Sequence, residues 1–189
     1  MTSKVTIANM ALARLGSGAS TRIVSLETDN TLAANTVNLL FDTVVDRVAM
    51  QGAWTSTVRR AALAMTATTP IFGYAHTFQL PVDPFCLKVL NIEDGSEFVV
   101  EGDKLLTDAS TVNIRYIARL TNPEDFDTML CEAVETLLAA YLAQIVTGNK
   151  DAAIALEKRY MALVDINLGL NNQQGSVVVI PSDDLKRDR

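Results

Sequence analysis

The sequence predicts an α+β fold, mainly α: a bundle of about four helices, an inserted small antiparallel β-sheet and an extended C-terminal tail. Three observations predict it. Apolar residues recur at helical spacing in the first third of the chain and again between 120 and 169. Between 71 and 119 the period changes to alternation, with turn residues at short intervals. After Gly169 there is almost nothing to bury until the run Val177-Val178-Val179-Ile180-Pro181. The expected organisation is a helical bundle built from residues 1–70 and 120–169, a β-rich insertion over 71–119, and a tail over 170–189.

Residues 3–15 carry Ile7, Ala8, Ala11, Leu12 and Leu15 on one helical face, with Thr2 or Ser3 as N-cap and Gly16 as a left-handed terminator. Gly16-Ser17-Gly18-Ala19-Ser20 reads as a loop, and Ile23-Val24-Ser25-Leu26 as an extended lead-in. The loop lacks the Lys-Ser or Lys-Thr pair that a phosphate-cradling loop requires. Asp29 is placed to cap a long second helix whose stripe Ala33, Val37, Leu40, Phe41, Val44, Val48 is core. Asn38, Asp42, Asp46 and Arg47 then face solvent. Gly52 is expected to break this helix before Trp54, and Val58-Arg59-Arg60-Ala61-Ala62-Leu63 fits a short helix and an extended segment equally well.

Strands are expected at 75–80, 85–92, 97–100, 104–107 and 112–118, with turns at Asp94-Gly95 and Glu101-Gly102-Asp103. Pro81 and Pro84 fall between strands, where a missing N–H does least harm. Asn122 as N-cap, Pro123 at the first helical position and Glu124 with Asp125 in the first turn predict the start of a third helix. Its inward face is Leu130, Val134, Leu137, Leu138, Tyr141 and Ile145, closed by Gly148-Asn149. A fourth helix from Lys150 to Gly169 turns Ala153, Leu156, Tyr160 and Leu163 inward and Glu157, Lys158 and Arg159 outward. So short a connection makes the last two helices antiparallel neighbours.

The chain of 189 residues is long enough for one well-filled core. Sixteen basic against 22 acidic residues give a net charge of −6, with no dense basic stripe to neutralise phosphates. Tight wrapping of DNA is disfavoured, whereas a wall that DNA slides past is compatible with an acidic surface. No apolar run approaches the length of a bilayer span and no leader pattern opens the chain, so the expectation is a protein made in the cytoplasm with no membrane partner. Cys86 and Cys131, 45 positions apart and without neighbouring histidines, read as reduced core residues.

No catalytic, metal or cofactor site is expected. His76, the only histidine, stands between Tyr74 and Phe78 in an alternating strand and reads as structural. The acid pairs Glu132 with Glu135 and Glu124 with Asp127 have the residue types of a glycosidase, but i, i+3 acids near a helix start are already explained by the dipole. No Gly-x-Ser-x-Gly elbow occurs. Trp54 with Arg59 and Arg60 has the composition of a base-stacking platform, and a lone tryptophan at a helix boundary is more simply a core anchor. The tail is different: Val177, Val178, Val179 and Ile180, followed by Pro181 on a polar tether, have the form of a strand made to pair with another chain.

The order of several blocks resembles the tail tubular protein A, or head-to-tail connector, family of short-tailed bacteriophages and the similar adaptors of some long-tailed ones. The blocks are Ala11-Leu12-Ala13-Arg14-Leu15-Gly16, Ile23-Val24-Ser25-Leu26, Gly52-Ala53-Trp54 with Arg59-Arg60-Ala61-Ala62-Leu63-Ala64, Phe72-Gly73-Tyr74 with Gln79-Leu80-Pro81-Val82-Asp83, Val99-Val100-Glu101-Gly102-Asp103-Lys104-Leu105-Leu106, Ile114-Arg115-Tyr116-Ile117 and Pro123-Glu124-Asp125-Phe126-Asp127, spanning about residues 8 to 145. The resemblance implies a ring, commonly of twelve copies, at the head–tail junction of the virion. Such a ring sits under the portal protein, extends the DNA channel so that genomic DNA passes without specific binding, and offers a platform to the downstream tail or nozzle protein. In such adaptors the C-terminal segment reaches into the portal, which makes Val177, Val178, Val179, Ile180 and Pro181 the expected portal-binding residues. The family's Phe-Ala pair after the tryptophan is replaced here by Thr55-Ser56-Thr57. The competing function is a virion-associated peptidoglycan hydrolase working through an acid pair and His76.

Overall fold

The computed structural model describes residues 2–16 and 22–174, with side chains as far as 169. Its architecture is α+β and mainly α, as expected. The elements are α1 (Lys4–Arg14), α2 (Leu32–Gly52), β1 (Val58–Leu63), β2 (His76–Gln79), β3 (Cys86–Ile92), β4 (Phe98–Glu101), β5 (Lys104–Thr107), β6 (Val112–Ala118), a 3₁₀ turn (Pro123–Asp125), α3 (Thr128–Val146) and α4 (Lys150–Gln174).

Helix α1 follows from its sequence signals. The Ser3 hydroxyl accepts from the Thr6 N–H at 3.1 Å, and Gly16 takes φ +69°, a conformation a side chain would resist. Ile7, Ala8, Ala11 and Leu12 are buried on the face that meets α3. Helix α2 starts later than expected. Thr31, not Asp29, is its N-cap, accepting from Ala34 N–H at 3.2 Å. Asp29 is occupied upstream, where its carboxylate accepts from the N–H groups of Val24 and Ser25, and Asn9 holds both backbone groups of Ile23 at 2.8 Å. These bonds pin the lead-in segment across α1.

Helix α2 ends before Trp54, as expected; Gly52 is its last helical residue, and the left-handed turn falls on Ala53, which has φ 41°. The role of Gly52 is room. A Cβ on Gly52 would lie 2.3 Å from the Trp54 ring, because the fully buried indole folds back along the helix and donates from Nε1 to the Val48 carbonyl at 2.7 Å.

The segment that fits helix or strand equally well is a strand, β1. It pairs antiparallel with β6, which also pairs with β3. The β-rich part therefore opens at Val58, upstream of residue 71. A second antiparallel sheet, in the order β2-β5-β4, takes the place of the single sheet expected. The chain leaving β1 bridges the two at Met65 and Phe78. Phe78 and Leu105 from one sheet, Leu80 just after β2, and Cys86, Ile92, Ile114 and Tyr116 from the other fill a common core. Glu101 faces Lys104 across a two-residue turn that opens on Gly102, φ +62°.

Asn122 caps the 3₁₀ turn rather than α3. The long helix begins at Thr128, capped by Asp127, whose Oδ1 accepts from Leu130 N–H at 2.8 Å while Oδ2 takes the Ser56 hydroxyl at 2.7 Å and its N–H at 3.1 Å. One carboxylate thus fixes the start of α3 against the approach to β1. Helix α3 is the centre of the bundle, packing on α1, α2 and α4, with Leu130, Val134, Leu137, Leu138 and Leu142 fully buried. By length and composition it passes for a membrane span, with 19 residues of mean hydropathy 1.5, a run overlooked in the expectation above; 61% of that window is inside the protein. Ile145, expected inward, is 46% exposed at the helix end.

Asn149 starts α4, accepting from Ala152 N–H at 3.0 Å. The helix does not stop at Gly169 but runs to Gln174, so the first five residues of the expected tail are helical. Tyr160, Leu163 and Val164 are buried, the Tyr160 hydroxyl donates to Gln51, and Asn167 Nδ2 donates to the Gly52 carbonyl at 2.8 Å. These contacts lay the C-terminal half of α4 along the end of α2.

Candidate functional site

The residue types closest to a catalytic pair, Glu132 and Glu135, lie on α3 beside a cavity of about 390 Å³ lined by Thr6, Met10, Phe126, Cys131 and Arg14 among others. Their i, i+3 spacing turns both toward the end of α1, where Arg14 stands. Its Nη2 is 3.0 Å from Glu135 Oε2 and 3.9 Å from Glu132 Oε1. Arg159 on α4 reaches the same Glu132 oxygen at 3.2 Å. Glu135 is 8% exposed, so burying it depends on this guanidinium. The carboxylates tie α1, α3 and α4 together, with Glu135 Oε2 and Glu132 Oε1 engaged by the arginines. Cys131 borders the cavity as a free, half-buried thiol. Burial, then the Glu135 and Asp127 charges, push its pKa up to about 11, which removes thiolate character at neutral pH.

The other candidates are scattered. Glu124 is exposed in the 3₁₀ turn and Asp127 is spent as the α3 cap. His76 is half-buried at the start of β2, opposite Thr107, and its side chain makes no hydrogen bond or ion pair among the described residues. Cys86 is buried in the β core, with burial raising its thiol pKa. Trp54 is wholly inside, so it offers no face to a base; Arg59 folds back onto the carbonyls of Ser56 and Val58 at 2.8 and 2.9 Å. Among the described residues no three metal-ligating side chains come together. The expected portal-binding residues Val177, Val178, Val179, Ile180 and Pro181 lie outside the described residues.

What the surface offers instead is unburied apolar and unpaired charged area at separate places. In the loop between β1 and β2, the adjacent side chains Ile71 and Phe72 are 99% and 86% exposed. Neither finds a neighbour to cover it. Leu32, Leu39 and Met50 stand out from α2, and Ile154, Met161 and Leu168 from α4. On the open face of the β1-β6-β3 sheet, Arg60 sits directly across from Arg115 in a groove of about 510 Å³ with Asn91, Asn113 and Glu93. Glu93 is bound to Asn113 Nδ2 at 2.7 Å, and neither arginine has an ion-pair partner among the described residues. Sequence reasoning did not single out Ile71 and Phe72 as surface features; it placed them at the opening of the β-rich segment, ahead of the first expected strand at 75–80. No family model matches the chain, and a search of curated proteins finds no match.

Proposed function

We propose that this chain is a structural head-to-tail adaptor subunit of a bacteriophage, with copies arranged as a ring, about twelve, at the head–tail junction of the virion after synthesis in the host cytoplasm. The observation that carries the reading is the distribution of uncovered apolar side chains. Prominent among them are the Ile71–Phe72 loop tip and the outer faces of α2 and α4, and the cavity that holds Glu132 and Glu135 has arginines on both carboxylates. A protein that must touch several neighbours at once needs separate exposed patches, because apolar area left open is a liability unless something covers it. The block order resembling head-to-tail connectors over residues 8 to 145 gives the neighbours their identities.

In this reading the helices pack side by side around a lumen through which genomic DNA passes, and the net charge of −6 gives the strand little to grip. The Ile71–Phe72 tip meets the downstream tail or nozzle protein. The segment from Val177 to Pro181 adds a strand to the portal protein. Repetition around the ring turns modest contacts into avidity.

The test is co-sedimentation with purified portal protein, repeated after deleting residues 175–189, which leaves α4 whole. Loss of binding on deletion is expected; undiminished binding by the shortened chain would remove the clamp. The competing peptidoglycan hydrolase has the 390 Å³ cavity and its acid pair in its favour. Peptidoglycan clearing by the purified chain, abolished by Glu132→Gln or Glu135→Gln, would replace the adaptor reading with that one.

A further inference from the structure

We propose that the outer face of α4 binds the same face of a second copy of this chain, antiparallel, about a two-fold axis between Met161 and Ala162. Half of α4 is core: Tyr160, Leu163, Val164 and Asn167 face α2 and α3. The other half is open and patterned. Ile154, Met161 and Leu168, seven residues apart, are 53%, 44% and 41% exposed. At 100° per residue they form one row, and Lys158 and Asp165 project between them on the same face. The positions beside each large residue, Ala155, Ala162 and Gly169, are exposed too.

This face is complementary to itself when reversed. An axis between 161 and 162 sets Lys158 opposite Asp165 of the second copy, and Asp165 opposite its Lys158. Neither side chain has an ion-pair partner among the described residues of its own chain. The same axis sets Ile154 over Gly169, Leu168 over Ala155 and Met161 over Ala162, so each large side chain meets a small one. Any parallel arrangement in register opposes like charges and large against large.

Gly169 gives the proposal an independent footing. It sits inside a helix at an ordinary φ, where glycine is a poor choice, and among the described residues nothing beyond its own helix backbone lies within 4 Å of where its Cβ would be. No packing among the described residues requires it; Ile154 of a second copy would. The contact runs from Ile154 to Gly169, about 22 Å of helix. A two-fold pair is closed, so it grows into neither filament nor ring. The inference does not rest on the adaptor reading, although in an adaptor such pairing would hold free copies apart from the ring.

The test is sedimentation equilibrium of the purified full chain over a concentration series. The mass is expected to rise to that of two copies and stop there. Lys158→Asp or Asp165→Lys alone should raise the dissociation constant on the order of tenfold, since each puts like charges together twice in the pair. The two substitutions combined should restore it. Gly169→Trp should leave a single copy, with an unchanged helical circular dichroism spectrum showing that the chain still folds. A wild type that stays single at the highest soluble concentration, a mass beyond two copies, or single charge variants as tightly paired as the wild type would each overturn the proposal.

Discussion

Gly52→Ala and Gly169→Ala are the same chemical change in two helices of one protein, and the structure gives them opposite signs. Helix propensity alone predicts that each stabilises by about 1 kcal/mol. At Gly169 there is open space, so that gain should be realised in a dilute single copy. At Gly52 the new methyl would stand 2.3, 2.5 and 2.6 Å from three atoms of the Trp54 indole, whereas carbon atoms pack at about 3.5–4.0 Å. The indole must retreat by more than about 1 Å. The indole is fully buried, and Nε1, one of the three crowded atoms, donates to the Val48 carbonyl at 2.7 Å, so the ring cannot shift without disturbing that bond. Overpacking costs about 1–3 kcal/mol and the stretched hydrogen bond about 1 kcal/mol. The net expectation for Gly52→Ala is a loss of about 1–3 kcal/mol, a Tm lower by roughly 3–10 °C for a chain of this size. Thermal and urea denaturation at low protein concentration read both variants. A Gly52→Ala protein that melts at or above the wild-type temperature would refute the claim that glycine is there to admit the tryptophan.

Three further outcomes follow from named contacts. Arg14→Met keeps most of the side chain's packing but leaves Glu135, its side chain 11% exposed, without its cation; it should cost about 2 kcal/mol, and adding Glu135→Gln should recover part of the loss in a double-mutant cycle. Burial raises the Tyr160 hydroxyl from 10.0 to about 12 and the Cys131 thiol from 9.0 to about 11. In both the fold favours the neutral form, so that stability is complete below pH 9 and lost as pH climbs to 12; urea midpoints should fall across that window, and Tyr160→Phe should flatten the part above pH 10. Phe72→Asp replaces an apolar side chain that is 86% exposed, so it should change stability by less than about 0.5 kcal/mol, while under the proposed adaptor reading it should abolish pull-down of the downstream tail protein; retained binding would clear the loop of that role.

Local signals that do not compete with tertiary structure were readable. The stripes of α1 and α2 are buried where their spacing puts them, and strands β5 and β6 have the bounds that alternation gives. Errors came where two residues offered the same local chemistry. Asp29 and Thr31 are both good caps, and the choice depends on the N–H groups of Val24 and Ser25, which reach Asp29 first. Asn122 and Asp127 repeat the ambiguity: Pro123 makes the earlier site look better, yet Asp127 wins by also holding Ser56, 71 residues away in sequence. In β3, register shifts between Cys86 and Lys88 and between Val89 and Asn91 break the two-residue period, which hides its pairing. Segment 58–63 had no decisive local signal, because its strand character comes from β6, whose residues pair with it from 49 to 59 positions downstream.

Surfaces were harder to read than elements for a physical reason. An amphipathic pattern says that a helix has a face to bury, and α4 has apolar residues on two. Tyr160 and Leu163 mark one, Ile154, Met161 and Leu168 the other, and no periodicity distinguishes a face that meets the bundle from one that meets another molecule. Gly169 sharpened the mistake: it looked like a terminator, since glycine usually ends helices, and only the helix running on past it to Gln174 shows that it is not one. The acid pair on α3 has the same limit. Spacing places Glu132 and Glu135 together beside a cavity, but their ion-pair partners come from Arg14, 118 and 121 positions away, and from Arg159 on α4. In each case the residues were visible and their partners were not, because a contact between distant segments leaves no period in the chain.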